Sequence, residues 1–99
     1  MDCSQLPSSF PSYGEGLLRV EQAAFPINDR VDTSRSSWIR TASYHSCGDG
    51  YGFMVLATDS QRYLHQGMPM EEWEGFKNAN SFGSYYNRHI KGRYQLQLH

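Results

Sequence analysis

Hydrophobic positions change their spacing along this chain. In EGLLRVEQAAF, residues 15–25, Leu17, Leu18, Glu21, Ala24 and Phe25 share one stripe at intervals of three and four, the period of a short helix with one covered face. Pro26 has no N–H and a fixed φ, so the helix stops before it. From Ser37 the period falls to two. WIRTASYHS places Trp38, Arg40, Ala42 and Tyr44 on one side and Ile39, Thr41, Ser43 and His45 on the other, which predicts a strand. Gly48, Asp49, Gly50 and Gly52 supply the conformational freedom of a hairpin turn. YGFMVLAT (51–58) then reads as a second strand, Asp59–Gln61 as a turn, and RYLHQ (62–66) as a third strand. Three strands joined by short turns form an antiparallel meander.

After Gly67 and Met68 the period returns to helical. Pro69 suits a first helical position, where its missing N–H costs no bond, and Glu71, Glu72 and Glu74 favour the positive end of the helix dipole. Met70, Trp73, Phe76 and Lys77 fall on one face, predicting a helix over about 69–79. Asn78, Asn80, Ser81 and Gly83 interrupt it. A second helix over about 84–93 follows, with Ser84 as its cap and Tyr86, Ile90 and His89 or Arg93 along one stripe. The tail QLQLH alternates like a short edge strand. The polar run NDRVDTSRS (28–36) reads as a linker. The fold class is therefore α+β: a three-stranded meander over about 37–66 and two short helices in residues 36–99, preceded by an N-terminal extension, 1–35, that is irregular over 4–14 and carries one short helix.

Ninety-nine residues bound the chain to one modest core. A net charge of −1 excludes the uniformly basic field of a nucleic-acid coat protein, but charge is unevenly placed. Residues 1–36 hold five acids against Arg19, Arg30 and Arg35, whereas residues 77–99 hold Lys77, Arg88, Lys91 and Arg93 and no acid. Cys3 and Cys47 are too few for the framework of a small secreted domain, so they are expected as reduced thiols. The N-terminus lacks the basic and apolar regions of a signal peptide, and no stretch approaches the roughly 20 apolar residues of a membrane span. These features together predict a cytoplasmic protein with no membrane association.

The second part of the chain resembles a known family. Ser36-Ser37-Trp38-Ile39-Arg40, Tyr44, the string Tyr63-x-His65-x-Gly67-Met68-Pro69, and Ser81-x-Gly83-x-Tyr85-Tyr86-Asn87-x-His89-Ile90-x-x-Arg93-Tyr94 are similar to the KTSC domain over about residues 36–95. That module is named for its place at the C-terminus of some lysyl-tRNA synthetases and also occurs alone in bacterial and phage proteins. Its attachment to a synthetase implies RNA binding. Here the family's central Tyr-x-Tyr reads Tyr63-Leu64-His65, and its Lys between Ser and Gly is Phe82.

Chemistry is expected at the C-terminal end. Tyr63, His65, Tyr85, Arg88, His89, Lys91, Arg93 and Tyr94 combine flat rings with cations, the pairing by which single-stranded nucleic acid stacks its bases and neutralises its phosphates. The competing expectation is a protein partner held by exposed aromatics, Trp73, Phe76 and Phe82. His45, Cys47 and His65 lack a fourth metal ligand, so no metal and no cofactor are expected. GDGYG lacks the Lys and Ser/Thr of a nucleotide loop. His45 and Cys47 sit too close on one strand to act as base and nucleophile, and no catalytic residues are assigned: the expected class is binding, not catalysis.

Overall fold

The computed structural model describes residues 1–99. Its centre is a four-stranded antiparallel sheet in the order β1 (Ile27–Val31), β2 (Thr41–Ser46), β3 (Tyr51–Ala57), β4 (Arg62–Pro69). Ala42, Tyr44, Met54, Leu56 and Met68 are buried on one face. That face is covered by α2 (Met70–Lys77) and α3 (Phe82–Tyr85), which runs on into a π-turn, Tyr86–Ile90, closed by Lys91 N donating to the Tyr86 carbonyl at 2.9 Å. The other face receives α1 (Tyr13–Gln22), with Phe10 and Val20 buried and Phe53 meeting Phe10 and Phe25 edge-on. The sheet is thus the middle of three layers, as apolar residues on both of its faces require.

The architecture corrects the sequence reading in its count of strands, four rather than three. The missed strand, β1, lies in the stretch read as a linker, because only Ile27 and Val31 of its five residues are apolar. Its place at the sheet edge tolerates polar residues, and one of them is used inward. Asp29 accepts from the Trp73 indole Nε1 at 2.9 Å and from Lys77 Nζ at 2.6 Å, tying β1 to α2 and holding its own carboxyl below the usual value, chiefly through Lys77. β2 starts at Thr41 rather than Ser37 because Ser36 Oγ accepts from the Ile39 N–H at 3.1 Å and turns Ser36–Ile39 out of the ladder. The second C-terminal helix begins two residues earlier than expected, capped by Ser81 instead of Ser84.

The extension is stitched to the rest. Phe10 exchanges backbone bonds with Gln97 and His99 at 2.8 and 2.9 Å, so the tail read as an edge strand forms only isolated bridges, one to Phe10 and one from Gln95 to His65. Cys3 and Cys47 are joined in a disulfide with 5.8 Å between Cα atoms, which overturns the expectation of two free thiols. A pairing across 44 residues has no local signature, and the cysteine count accordingly loses its value as an argument for a reducing compartment. No helix is long and apolar enough to cross a membrane.

Candidate nucleic-acid interface

β4 is the sheet's second edge, and a cleft of about 380 Å³ opens beside it. Alternation along β4 aims Tyr63 and His65 to one side. Tyr86 from the π-turn, Trp38 from the loop before β2 and Tyr13 from α1 complete an aromatic wall, and Asn87 and Lys91 stand at the mouth. Trp38 meets Tyr86 edge-on at 6.0 Å. Its indole is seated against Gly83, where a Cβ would lie 2.7 Å from Nε1, so any side chain at position 83 would displace this wall. Tyr13 is anchored by its hydroxyl, which accepts the Leu64 N–H. Gly92 takes φ +80°, a conformation open to glycine, and the turn it makes separates Lys91 from Arg93.

Beneath the aromatic wall, His65 Nε2 lies 2.8 Å from the Tyr86 hydroxyl, and the Tyr94 backbone carbonyl accepts the neighbouring Gln66 N–H at 3.1 Å. Burial pushes the Tyr86 phenol up to about 12 and holds His65 below its usual 6.5, the Tyr94 backbone opposing it only in part. The pair is therefore a neutral floor at pH 7. Because the unfolded chain binds a proton on His65 at higher pH than the folded one does, its contribution to stability is complete above about 6.5 and is lost as pH falls below it. Denaturant midpoints measured between pH 8 and 5 are expected to decline below pH 6.5, and the decline to be shallower in His65→Gln.

The structure divides the eight sequence-derived residues. Tyr63, His65 and Lys91 line the cleft. Tyr85 and Tyr94 do not present open stacking faces: both are half-buried, and both hydroxyls donate to Glu72, Tyr94 at 2.9 Å. Burial followed by that carboxylate raises the Tyr85 phenol to about 12. His89 lies against the Tyr85 ring, 4.4 Å between centroids, and does not line the cleft. Arg88, Lys91 and Arg93 are exposed and take part in none of the ion pairs. Lys77 is different. It is held by Asp29 at 2.6 Å and Glu74 at 3.3 Å, so it does not add to the basic surface.

The aromatics expected to anchor a protein partner are interior. Trp73, Phe76 and Phe82 are 1%, 0% and 3% exposed, because a helix laid on a sheet must turn its aromatic stripe inward. The three side chains weighed as metal ligands have other partners: Cys47 is in the disulfide, His45 bonds Asn28 and Ser43, and His65 bonds Tyr86. Sequence reasoning missed Trp38, Tyr13 and Asn87 as site residues and left Tyr86 between site and core. Tyr86 fits a core stripe equally well, and nothing in periodicity announces that residues 13 and 38 converge on β4.

Residues 56–94 match the family model of the KTSC domain. The chain carries a KTSC domain. The match is narrower than the resemblance over 36–95, and it spans the end of β3, β4 and the helices that follow. The matched segment supplies the floor and mouth of the cleft, Tyr63, His65, Tyr86, Asn87 and Lys91, whereas Tyr13 and Trp38 lie outside the match. No curated protein and no solved structure matches the chain.

Proposed function

We propose that this chain is a small binding module for single-stranded nucleic acid, RNA first, with an unpaired base entering the aromatic cleft and the phosphates on either side meeting Lys91, Arg88 and Arg93. The observation that carries this reading is the juxtaposition at the π-turn of an aromatic-walled cleft with exposed cations that no acid neutralises. A base seated on such rings contributes about 1–3 kcal/mol, and each phosphate neutralised on a single strand contributes about 0.7 to the salt slope. Asn87 and Gln95 bring amides to the cleft, which can donate and accept at a base edge. The protein-partner alternative loses its anchors with the burial of Trp73, Phe76 and Phe82.

Fluorescence anisotropy of a labelled 12-nucleotide single-stranded RNA, titrated at several salt concentrations, tests the reading. Replacing Arg88, Lys91 and Arg93 together by alanine is expected to reduce the salt slope by about 2 and, near 0.1 M salt, the affinity roughly a hundredfold. Tyr63→Ala is expected to weaken binding by about 1–3 kcal/mol at unchanged slope. Absence of binding by the wild-type chain at low ionic strength would overturn the proposal.

A further inference from the structure

At a second cleft, on the α1 face of the sheet, three side chains form a relay. Ser43 Oγ lies 3.0 Å from His45 Nε2, and His45 Nδ1 lies 2.7 Å from Asn28 Oδ1. The direction of each bond follows from one further contact. Asn28 Nδ2 donates to the Phe25 backbone carbonyl at 2.8 Å, which fixes the amide with its oxygen toward the imidazole. That oxygen only accepts, so His45 Nδ1 carries the proton, Nε2 keeps its lone pair, and the Ser43 hydroxyl must donate to it. The two-residue spacing on one strand that is expected to keep His45 from pairing with Cys47 is bridged toward Ser43, whose Oγ reaches Nε2 at 3.0 Å, and the β1–β2 register, which sets Asn28 directly opposite His45, supplies the third member.

The surroundings suit a reaction. Burial, with Arg30 adding to it, holds His45 below the usual imidazole value, leaving it neutral and able to take a proton. The relay opens into a cleft of about 340 Å³ with an apolar wall of Val20, Phe25 and Val55. Arg30 sits directly across the β1–β2 ladder from Ser43 and forms no ion pair, while Arg62, also at this cleft, is engaged by Glu21. A nucleophile hydrogen-bonded to a base that is itself oriented by a third group is the arrangement of covalent acyl transfer, and a cation lining the same cleft can stabilise a developing oxyanion.

We propose that Ser43 is a nucleophilic serine activated by His45 and Asn28, acting on small carboxylic esters that carry an anionic group. The Ser43 oxygen attacks the ester carbonyl carbon while its proton passes to His45 Nε2, and the carbonyl π pair moves onto oxygen beside Arg30. Collapse of this tetrahedral species breaks the carbon–alkoxy bond, and the leaving alkoxide takes the proton from His45. Water, deprotonated by His45, then attacks the acyl carbonyl; collapse breaks the acyl–Ser43 bond, the Ser43 oxygen takes the proton back from His45 and the acid leaves, so that ester and water become acid and alcohol with no change of oxidation state.

The test is reaction of the full chain with a fluorophosphonate probe, followed by peptide mass spectrometry, and hydrolysis of 4-nitrophenyl acetate and mono-(4-nitrophenyl) succinate. The wild-type chain is expected to form its adduct on Ser43 and on no other serine, and to prefer the succinate ester. Ser43→Ala is expected to abolish both reactions, and His45→Gln to slow them by about 10²–10⁴-fold, the range for loss of a general base. Arg30→Gln is expected to remove the preference for the anionic ester. The wild-type measurement is decisive by itself: no adduct on Ser43, or labelling no faster than at the other serines, overturns the proposal, as does hydrolysis that persists undiminished in a folded Ser43→Ala chain.

Discussion

Reducing the Cys3–Cys47 bridge, or replacing both cysteines by serine, is expected to lower stability by about 4 kcal/mol, the chain-entropy value for a closed loop of this length. The bond spans 44 residues and so removes a large part of the unfolded chain's freedom. For a domain of this size the melting temperature should fall by roughly 15–30 °C, read by calorimetry with and without reductant. The effect reaches the β4 cleft, because the extension held by the bridge leads into α1, which supplies Tyr13. An unchanged melting temperature under reductant would mean that the backbone bonds of Cys3 and Ala24 hold the extension without the bridge.

Trp73→Ala is expected to cost about 3–5 kcal/mol, the range for removing a large aromatic from a core. Trp73 is 1% exposed, stacks between Tyr44 and Phe76 at 5.6 and 5.8 Å, and donates to Asp29 at 2.9 Å. Truncation leaves a cavity under α2 and removes the indole that joins α2 to β1. Against a total stability of about 5–15 kcal/mol, that loss is a large fraction, visible as a lower denaturant midpoint. The same experiment separates core from interface. A Trp73→Ala chain with wild-type stability would place this side chain on a surface, whereas a strongly destabilised one agrees with its position in the packing.

The β4 cleft was partly legible. Tyr63, His65 and Lys91 were named from ring and charge, and the helix that brings Lys91 to the mouth was expected from its stripe. What failed was the assumption that a ring or a cation near the C-terminus is a free one. Tyr85 and Tyr94 are tied to Glu72, and Lys77 to Asp29 and Glu74, pairings made by groups 3 to 48 positions apart. β1 was illegible for a related reason. An edge strand with one half-covered face carries too few apolar residues to show a period, and its inward Asp29 is acceptable only because Trp73 and Lys77 meet it.

Local spacing determined the helix of the extension, the meander of β2, β3 and β4, the helix after Pro69 and the capped turn that follows, because those depend on neighbours within a few residues. The carrier of the KTSC pattern was likewise readable from residue order. Only the tertiary structure decided that Cys3 meets Cys47, that Tyr13 and Trp38 wall the cleft, that three of the four C-terminal cations stay unpaired, and that Asn28 orients His45 toward Ser43. Each is a contact between distant positions, set by which sheet face each strand presents, and strand order and register are properties of the assembled sheet that no single segment encodes.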